Sequence, residues 1–588
     1  MKYVRKTKSN ITKDFLLELL SERGIIDKHQ PNEHFFRPSS ENLLNPNLLD
    51  NIGDAAKLFL EHIKKGSQIY VVVDPDVDGY TSSAVLINYM SEVLKPLFPD
   101  FTVEYHIPEG KAHGLATIMD VFTETDNRIC DLIILPDSSS NDYAEHKTLK
   151  SLGYDIIVLD HHLSPSYSED AIVVNNQLSE MYENKELSGV GVVYKFLKVC
   201  DDHLKVDAAD RYLDLVALGQ ISDMMSMMTL ENRYICDYGL SHVNNKLFKM
   251  FIEKQEYSLG SEPLNQIGVA MYITPLINAL IRVGTQVQKE RLFKAFVDSD
   301  EIVPSTKRGE KGLTETIGTQ TVRNCVNARA KQNREKDKAL DFLSIQISND
   351  CLDDNKILIL NADELDISNS LTGLCAMGVA ASYKKPTMLG RSCSDGYFRG
   401  SIRCQDGTEL KDFRQFLLDS KYMEYVEGHA FAAGFGIKQS NISKLYEYAN
   451  EKLKQVDFNQ GFYEADFIVN GNTSYLEDMV EELALNGHLW GQKNPEPLIV
   501  VENITIPTSK ISVIGSNKDT LRFEFNGICY IKFKAADEIK EFRNHARKSN
   551  KVNVTLVGKP KINRYRGSET LQLIVKDLEF GIATNNTF

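Results

Sequence analysis

The sequence predicts an α/β protein whose largest unit is a parallel sheet wound with helices. Short apolar runs recur along the first third of the chain, and each is followed by polar residues and then by a helical pattern. The runs are residues 69–73, 101–107, 131–135, 155–159 and 171–174. Runs this short and this rich in β-branched residues are typical of strands buried on both faces. Their alternation with helices favours a doubly wound sheet with right-handed crossovers.

Length and changes of pattern predict how the chain divides. A chain of 588 residues is too long for a single hydrophobic core. Residues 319–342 have the pattern of one long helix, and after about residue 456 short β-runs separated by turn residues predict a small antiparallel barrel. The predicted units are an N-terminal extension (1–51), a parallel-sheet domain (52–310), a connecting helix (311–342), a second α/β domain (343–455) and a C-terminal β-barrel (456–588).

Composition narrows the classes of function. A hydrophobic content of 42% and a charged content of 25% are typical of a globular protein. No stretch approaches 18 uninterrupted apolar residues, so we expect no membrane span. The nine cysteines show no CxxC spacing, which argues against a thiolate zinc site and fits a reducing cytoplasm. A net charge of -15 argues against nucleic-acid binding over the whole surface but allows a local basic channel.

Three alternate carboxylates follow the first strand run. Asp74, Asp76 and Asp78 come directly after residues 69–73, and Gly79 lets the chain turn into a helix. Open α/β sheets place ligand sites at the carboxyl ends of their strands. Carboxylates this close repel one another unless a cation holds them. The alternative is a solvated acidic turn, because short acidic patterns recur by chance.

Further polar residues follow later apolar runs. Asp137 follows the third run, the trio Asp160, His161 and His162 follows the fourth, and Asp223 follows an apolar helix. Carboxylates with imidazole and without thiolate suit Mn²⁺ or Mg²⁺ better than zinc. Two such ions, about 3.5–4 Å apart, can share a carboxylate and activate a water toward phosphorus. Taken singly, each residue also has a structural explanation, such as a core histidine or a helix cap.

Several ordered motifs resemble the DHH phosphoesterases, and specifically the RecJ-type single-strand-specific 5′→3′ exonucleases. The segments are VVVDPDVDG, PDSSS, LDHHLS, LSGVGVVYKFL, LDLVALGQISDMMSMMTLENR, TPLINALIR, GSIR, EGHAFAAGF and WGQKNPEP. The resemblance covers nearly everything from about residue 52 to residue 580. It implies that the parallel-sheet domain is a DHH catalytic domain, that the second α/β domain is DHH-associated, and that the barrel is an OB-fold that binds nucleic acid.

The resemblance also implies roles for individual residues. The implied metal ligands, for two Mn²⁺ or Mg²⁺ ions, are Asp76, Asp78, Asp137, His161 and Asp223. Asp137 matches the carboxylate that bridges the two ions. Asp74 and His162 match positions that support the ions or the phosphate, and they complete the implied catalytic set.

The resemblance also implies a set of substrate-binding residues, and several of them hold phosphate. Arg282, Ser401 and Arg403 match positions that hold substrate phosphate, the last two at the 5′ end, and His429 faces the same cleft. A guanidinium fork suits phosphate because it donates two parallel hydrogen bonds. Without the ordered context, Arg282 would be read as a surface ion pair, the GSIR segment as a strand turn and His429 as a core histidine.

Two basic stretches lie outside the catalytic sheet. The long helix carries Arg323, Arg329, Lys331, Arg334, Lys336 and Lys338. The edge of the barrel carries Lys559, Lys561, Arg564, Tyr565 and Arg566. Cations mixed with an aromatic ring can follow backbone phosphates and stack a base, which holds single strands without reading their sequence. The alternatives are a solvated helix face and a hairpin with solubilising charges.

The implied function is 5′→3′ degradation of single-stranded DNA to mononucleotides, in DNA recombination and repair. We expect a cytoplasmic monomer, in the host cytoplasm if the chain is viral, with a single-strand-binding protein or a helicase as candidate partners and no role at a membrane. One alternative is a DHH phosphodiesterase that acts on short oligonucleotides or cyclic dinucleotides. A second is a non-catalytic replication scaffold, although every expected ligand position is still Asp or His.

Overall fold

The structure, a computed structural model, describes residues 1–6, 14–109, 112–124, 128–260, 263–368, 371–405, 408–458, 461–565 and 568–582. The N-terminal extension contains β1 (Lys2–Arg5), α1 (Phe15–Glu22) and α2 (Glu33–Phe36). Strand β1 pairs in parallel with the strand Phe462–Ala465. Buried side chains of α1 join the core of the C-terminal unit, whereas Leu49 joins the core of the parallel-sheet unit. The extension therefore ties the two ends of the chain together, which the sequence did not predict.

The parallel-sheet unit is built from five strands and the helices around them. The strands are β2 (Gln68–Val72), β3 (Thr102–His106), β4 (Leu132–Pro136), β5 (Asp155–Asp160) and β6 (Ile172–Asn175). The helices are α3 (Ile52–Lys65), α4 (Val77–Tyr89), α5 (Met119–Thr123), α6 (Tyr143–Ser151), α7 (Gly189–Leu204), α8 (Leu213–Ser222), α9 (Leu230–Ser241), α10 (Lys246–Lys254), α11 (Glu256–Leu259), α12 (Gln266–Gly268), α13 (Thr274–Val283) and α14 (Gln286–Val297).

All pairings in this sheet are parallel, and the strand order is β3-β2-β4-β5-β6. One large apolar cluster covers one face of the sheet, and a smaller cluster that includes Tyr70, Ile133 and Val158 covers the other. Burial on both faces explains why the strands read as continuous apolar runs. The prediction of a doubly wound parallel sheet is confirmed.

A long helix leaves this unit after a short hairpin. The hairpin is β7 (Ile302–Pro304) with β8 (Thr314–Thr316), and the helix is α15 (Ile317–Asn349). The helix is longer than the predicted 319–342 because its last turns are buried in the next unit, where Leu343 and Ile347 join the core.

The second α/β unit has a five-stranded mixed sheet. Its elements are β9 (Leu358–Asn361), α16 (Thr372–Tyr383), β10 (Thr387–Ser392), β11 (Tyr397–Arg403), α17 (Phe413–Asp419), β12 (Met423–His429), β13 (Ala432–Lys438) and α18 (Ile442–Lys452). The strand order is β12-β13-β11-β10-β9, and only the β9–β10 pairing is parallel among the described strands of this sheet.

The C-terminal unit is a seven-stranded sheet that is mixed rather than wholly antiparallel. Its elements are β14 (Phe462–Ala465), β15 (Phe467–Asn470), α19 (Leu476–Leu485), β16 (Ile499–Pro507), β17 (Ser512–Ile514), β18 (Thr520–Phe525), β19 (Ile528–Lys532), α20 (Ala536–Ala546), β20 (Lys551–Tyr565) and β21 (Ser568–Ile582). The pairs β15–β16 and β19–β21 are parallel. Parallel neighbours need crossover connections, and α19 and α20 lie in those connections, which strand spacing alone did not reveal.

One helical stretch in the described part of the chain, residues 266–283, has the length and hydropathy to cross a membrane. Half of it is buried inside the protein, and Val269, Ile273 and Ile277 belong to the main core. Core helices commonly pass the same test, so this is weak evidence for a span. The domain boundaries stay a prediction, and we propose them because each of the three large units has its own sheet.

A buried arginine joins the N-terminal extension to the first and last units. Arg233, on α9, is fully buried. Its guanidinium donates hydrogen bonds to the backbone carbonyls of Phe35 (2.9 Å), Met227 (3.3 Å) and Leu489 (3.3 Å). Its central carbon lies 4.1 Å from the centre of the Phe35 ring. Three segments that are distant in the chain therefore depend on one buried cation.

We expect Arg233→Met to lower the midpoint of thermal unfolding by roughly 6–12 °C. Orphaning buried carbonyl groups costs on the order of 3 kcal/mol in total, and each kcal/mol shifts the midpoint by about 2–4 °C in domains of this size. Differential scanning fluorimetry measures the shift. The control is Arg308→Met at an exposed arginine, which should leave the midpoint within about 1 °C. Equal midpoints for the two variants would contradict a role for Arg233 at this junction.

Candidate metal centre and active site

Acidic and imidazole side chains meet at the carboxyl edge of the parallel sheet. Strands β2 and β4 are hydrogen-bonded neighbours there, while β3 lies on the other side of β2, so the strand order reverses between β2 and β4. Open α/β sheets bind ligands at such switch points. Ligand atoms lie within 4.8 Å of one another in three groups, which are Asp74, Asp76 and Asp137; Asp78, His161 and Asp223; and Asp137, His161 and His162.

The start of α4 positions the first carboxylates. Asp76 is the N-cap residue, and its carboxylate accepts a hydrogen bond from the backbone N–H of Gly79 at 3.0 Å. Position 79 needs glycine because a Cβ there would lie 2.5 Å from the carbonyl oxygen of Asp74. The helix therefore begins directly against the end of β2, which keeps all three aspartates at the sheet edge.

The N-terminus of α7 holds Asp78. This carboxylate is buried and accepts hydrogen bonds from the backbone N–H groups of Gly189 (2.8 Å) and Val190 (3.2 Å) and from the hydroxyl of Ser188 (3.2 Å). Donors at a helix N-terminus favour an anion. The sequence analysis did not identify Ser188 or Gly189 as site residues, because their contribution is mostly made by the backbone.

Asp137 is held in a backbone conformation that few non-glycine residues adopt. Its φ is 66°, a left-handed value that costs on the order of 1 kcal/mol. The side chain is buried, and its Oδ1 accepts no hydrogen bond of acceptable geometry from the described residues, although the His161 ring nitrogen lies 3.2 Å away. Gly189 packs against this oxygen so closely that a Cβ would lie 2.3 Å from it. A strained, buried carboxylate oxygen of this kind is expected where a cation binds.

His161 is a neutral imidazole among these carboxylates. Its Nε2 lies 3.2 Å from Asp137 Oδ1, 3.4 Å from Asp223 Oδ2 and 4.0 Å from Asp78 Oδ2. Burial, reinforced by the charge of His162, lowers the pKa of His161 to about 4. A neutral ring nitrogen beside three carboxylates can ligate the same ion as they do.

The pKa values of the carboxylates reflect burial and mutual repulsion. Burial raises the pKa of Asp78 and of Asp137 well above the usual range, and neighbouring aspartates raise both further. Burial, followed by the charge of Asp76, raises the pKa of Asp223 to about 7. Carboxylates this close do not all ionise at neutral pH without a cation. The set of oxygen and imidazole ligands without thiolate fits Mn²⁺ or Mg²⁺.

Asp160, for which the sequence analysis predicted no separate role, orients His162. Asp160 is fully buried, and its carboxylate lies 2.8 Å from Nδ1 of His162 and accepts from the backbone N–H of His161 (2.7 Å) and Ser140 (3.0 Å). The hydrogen bond with Asp160 raises the pKa of His162 to about 9. His162 is therefore a cation at neutral pH, which suits a phosphate oxygen better than a metal ion. The feature of the sequence that could have indicated this role is the position of Asp160 as the last residue of strand β5.

His113 is a site residue that the sequence analysis missed. Its Nδ1 lies 3.0 and 3.1 Å from the two carboxylate oxygens of Asp74. The hydrogen bond to Asp74 raises the pKa of His113, while burial raises the pKa of Asp74. Its place after β3, the strand next to β2, was the one signal that could have identified it.

Two arginines form a basic side of the site. Partial shielding from water lowers the pKa of Arg282, on α13, while nearby Asp76 raises it and nearby Arg329 lowers it. Shielding also lowers the pKa of Arg403, at the end of β11, and Arg282 lowers it further. Like charges from the first and second α/β units are therefore close enough to interact, an arrangement that an anion would stabilise.

Thr372 and Gly373, at the start of α16, lie beside Ser401 and Arg403. The hydroxyl of Ser401 lies 3.2 Å from that of Thr372. Gly373 lies so close to the Arg403 guanidinium that a Cβ would be 2.5 Å from Nη2. The second α/β unit thus presents Ser401 and Arg403 together at one end of β11.

The other predicted substrate residues that the structure describes have surroundings of their own. His429 is exposed at the end of β12, and the described residues include no hydrogen bond or ion pair between it and the carboxylates. Lys559 pairs with Glu496 at 2.8 Å, and Arg564 pairs with Glu569 at 2.7 Å. Lys561 is exposed. Arg566 and the side chain of Tyr565 lie outside the described residues.

The basic face of α15 is also partly neutralised. Arg323 donates to both carboxylate oxygens of Glu315 at 2.6 Å, and Lys331 lies 3.7 Å from Glu335. A DNA phosphate would have to compete with these carboxylates. The long helix is therefore a weaker basic surface than its sequence suggests.

We expect Mn²⁺ to bind at least about tenfold more weakly at pH 6 than at pH 8. Asp223, with a pKa of about 7 in the metal-free protein, must lose its proton before it can ligate an ion, and metal affinity falls as protons compete. Isothermal titration calorimetry measures the affinity. Asp223→Asn should bind more weakly at both pH values and depend less on pH. Equal affinity of the unaltered protein at pH 6 and pH 8 would be contrary to this account.

Comparisons with known proteins identify the fold and the family of the chain. The chain matches the DHH family, N-terminal domain, over residues 68–220 and the RecJ OB domain over residues 473–577. It is 19% identical to the crystal structure of RecJ in complex with Mn²⁺ from Thermus thermophilus, with a TM-score of 0.70 over 98% of this chain and 79% of that one. The Mg²⁺ complex of RecJ from the same organism gives a TM-score of 0.65 at 18% identity, over 98% of this chain and 78% of that one. These similarities establish the fold.

Similar sequences establish the family. The single-stranded-DNA-specific exonuclease RecJ of Bacillus subtilis is 25% identical over 95% of this chain and 67% of its own length. The protein named "Putative SPbeta prophage-derived single-strand DNA-specific exonuclease YorK", also from Bacillus subtilis, is 37% identical over 96% of both chains. The chain therefore belongs to the RecJ-type single-strand-DNA-specific exonucleases of the DHH family.

Proposed function

We propose that this protein is a metal-dependent exonuclease that degrades single-stranded DNA from the 5′ end to mononucleotides. The observation that carries the proposal is the sharing of ligands at the sheet edge. Asp137 belongs to two of the three ligand groups, and so does His161. Shared ligands are the arrangement expected for two adjacent ions. The names of the relatives support the choice of substrate.

Two Mn²⁺ or Mg²⁺ ions, when bound, would lower the pKa of a water and neutralise charge on the phosphate. The residues that would hold these ions are Asp76, Asp78, Asp137, His161 and Asp223, and Asp137 is the carboxylate that both ions could share. Asp74, which is hydrogen-bonded to His113, is assigned to support these ligands. The backbone donors on Asp78 and the close packing of Gly189 against Asp137 keep both carboxylates in place.

His162 is assigned to the phosphate. Its bond to Asp160 uses Nδ1 and keeps the ring protonated at neutral pH, with a pKa of about 9. Nε2 is then left to donate to a phosphate oxygen. Such a donor stabilises the charge that develops on the phosphate during in-line displacement.

Arg282, Ser401 and Arg403 are assigned to the terminal 5′ phosphate. The two guanidiniums repel each other, and a phosphate between them would relieve that repulsion. Arg282 is close enough to Asp76 for the two charges to interact, so a strand anchored there would present its first phosphodiester to the carboxylate edge. Cleavage at that position releases one nucleotide at a time.

The presence of the C-terminal unit supports a long strand rather than a dinucleotide as the substrate. A small-molecule phosphodiesterase needs the metal site but not an OB domain, and OB folds hold single strands. The groove residue His429 and the barrel residues Lys559, Lys561, Arg564, Tyr565 and Arg566 stay candidates for that contact. A non-catalytic scaffold is disfavoured because every proposed ligand is present at one sheet edge.

The cellular setting is part of the same proposal. A 5′→3′ single-strand exonuclease suits DNA recombination and repair, with a single-strand-binding protein or a helicase supplying the strand. We propose a monomer that acts in the cytoplasm.

We expect the protein with Mn²⁺ to release mononucleotides from 5′-labelled single-stranded DNA, while duplex DNA is left intact and chelator abolishes release. Asp137→Asn should lower the rate by more than about 10³-fold, since it removes the shared ligand. Asparagine tolerates a positive φ, so the variant should fold, and loss of a repelling charge should leave the melting midpoint of the metal-free protein no lower. Faster hydrolysis of a dinucleotide than of the long strand would favour the phosphodiesterase alternative.

We expect Arg403→Gln to lower kcat/KM on 5′-phosphorylated strands by about 10- to 100-fold, the size of one or two charge-assisted hydrogen bonds. Strands with a 5′ hydroxyl should lose much less, so the preference for a 5′ phosphate should shrink toward one. The matched control is Arg399→Gln on the same strand, because Arg399 pairs with Asp395 at 2.6 Å on the surface. An unchanged 5′-phosphate preference in Arg403→Gln would remove this residue from the phosphate site.

A further inference from the structure

An apolar cleft of about 200 Å³ opens at the turn that follows α8. Four segments line it, namely the turn after α8, the helix that begins at α12, the segment before β16 and strand β20, which contributes Lys559. Its walls include Met224, Met225, Ile267 and Met271. Asp223, the proposed ligand, immediately precedes the first of these methionines. The cleft therefore lies at the edge of the site but is not part of the carboxylate cluster.

A buried glutamine lines the same cleft. Gln266 is 5% exposed, and both its amide oxygen and its amide nitrogen lack a hydrogen-bond partner among the described residues. Gly491 packs directly on this amide, because a Cβ there would lie 2.2 Å from Oε1. A buried amide left unpaired is costly, so its presence at a cleft wall indicates a ligand with polar edges.

The backbone around the cleft is fixed rather than loose. Met224 has a φ of 59°, a left-handed value that glycine would adopt at lower cost, yet its side chain is 55% exposed. The backbone N–H of Met227 donates to the carbonyl of Gln492 at 3.0 Å, which joins the turn after α8 to the segment before β16. The two segments are thus joined, and an exposed methionine stands at a position where glycine would strain the chain less.

We propose that this cleft binds one nucleobase of the DNA strand, close to the phosphodiester held at the metal centre. The inference rests on the proposed function. The cleft is smaller than the ~300–1,000 Å³ of pockets for drug-sized ligands, so it suits a single flat ring. Thioether side chains adapt to ring faces and make favourable sulfur–aromatic contacts. The Gln266 amide carries one donor group and one acceptor, which match the polar edge of a base once a ligand displaces the atoms that cover them.

The charged residues at the rim of the cleft suit a DNA strand better than a free apolar ligand. Lys559 lies at the cleft, paired with Glu496. A phosphate of the same strand can replace that carboxylate as the partner of the lysine. The methionine cleft, Lys559 and the barrel would then form one path from the OB unit to the carboxylate edge.

The test combines protein variants with altered substrates. A 5′-phosphorylated strand of about 20 nucleotides, longer than one OB-fold site, is prepared with a single abasic site at each of the first few nucleotides in turn, and kcat/KM is measured with Mn²⁺. The variants are Met271→Ser in the cleft and Met181→Ser elsewhere, because the two methionines are 63% and 69% exposed respectively and Met181 does not line the cleft.

For the unaltered protein, we expect one abasic position to lower kcat/KM by about two- to tenfold, the size of a sulfur–aromatic contact. In Met271→Ser the intact strand should lose a similar factor, and the penalty at that abasic position should disappear. Met181→Ser should behave as the unaltered protein. An equal abasic penalty in the unaltered protein and in Met271→Ser at every position would overturn the base site while leaving the exonuclease proposal intact. Failure to degrade any single strand would overturn both.

Discussion

The architecture of the site depends on carboxylates that are buried away from water and lie close enough to repel one another. Asp78 and Asp137 are 1% and 2% exposed, and burial together with neighbouring charge raises the pKa of each. The surrounding chain accommodates this repulsion rather than relieving it. Gly189 has no side chain to displace Asp137, Asp137 itself adopts a left-handed backbone, and the start of α7 supplies donors to Asp78. A fold that builds these features around clustered anions is organised for bound cations.

The same constraint explains why distant segments converge. Asp223 follows α8 on a turn that is held from both sides, since Met227 bonds to Gln492 and its carbonyl accepts from Arg233. The Arg233 guanidinium also reaches Phe35 and Leu489. The C-terminal unit and the N-terminal extension therefore help to position a proposed metal ligand. The OB unit is then more than a tethered DNA-binding module.

The parallel sheet and most of the carboxylate cluster could be predicted from the sequence. The strands are buried on both faces, so their apolar runs stand out, and Asp76, Asp137 and His161 each follow such a run. The convergence of these residues follows from topology, because the carboxyl ends of parallel strands share one edge. His113 was harder to predict, since it lies in a loop 39 positions away from Asp74 and only the folded chain brings the two together.

The contacts between the two ends of the chain could not be predicted from the sequence. The pairing of Lys2 with Phe462 links residues 460 positions apart, and nothing in either segment marks the other. Basic residues were misleading for a related reason. Arg323 and Lys559 look available in the sequence, but each has a carboxylate partner in the fold. The orphan amide of Gln266 likewise becomes visible only when its neighbours are known.

Anomalous scattering from crystals grown with Mn²⁺ tests the central claim most directly. The account predicts two peaks about 3.5–4 Å apart at the carboxyl edge of the parallel sheet, with Asp137 in contact with both and with His161 and Asp223 as further ligands. A single peak that Asp137 does not touch, or ions found only elsewhere on the chain, would contradict it.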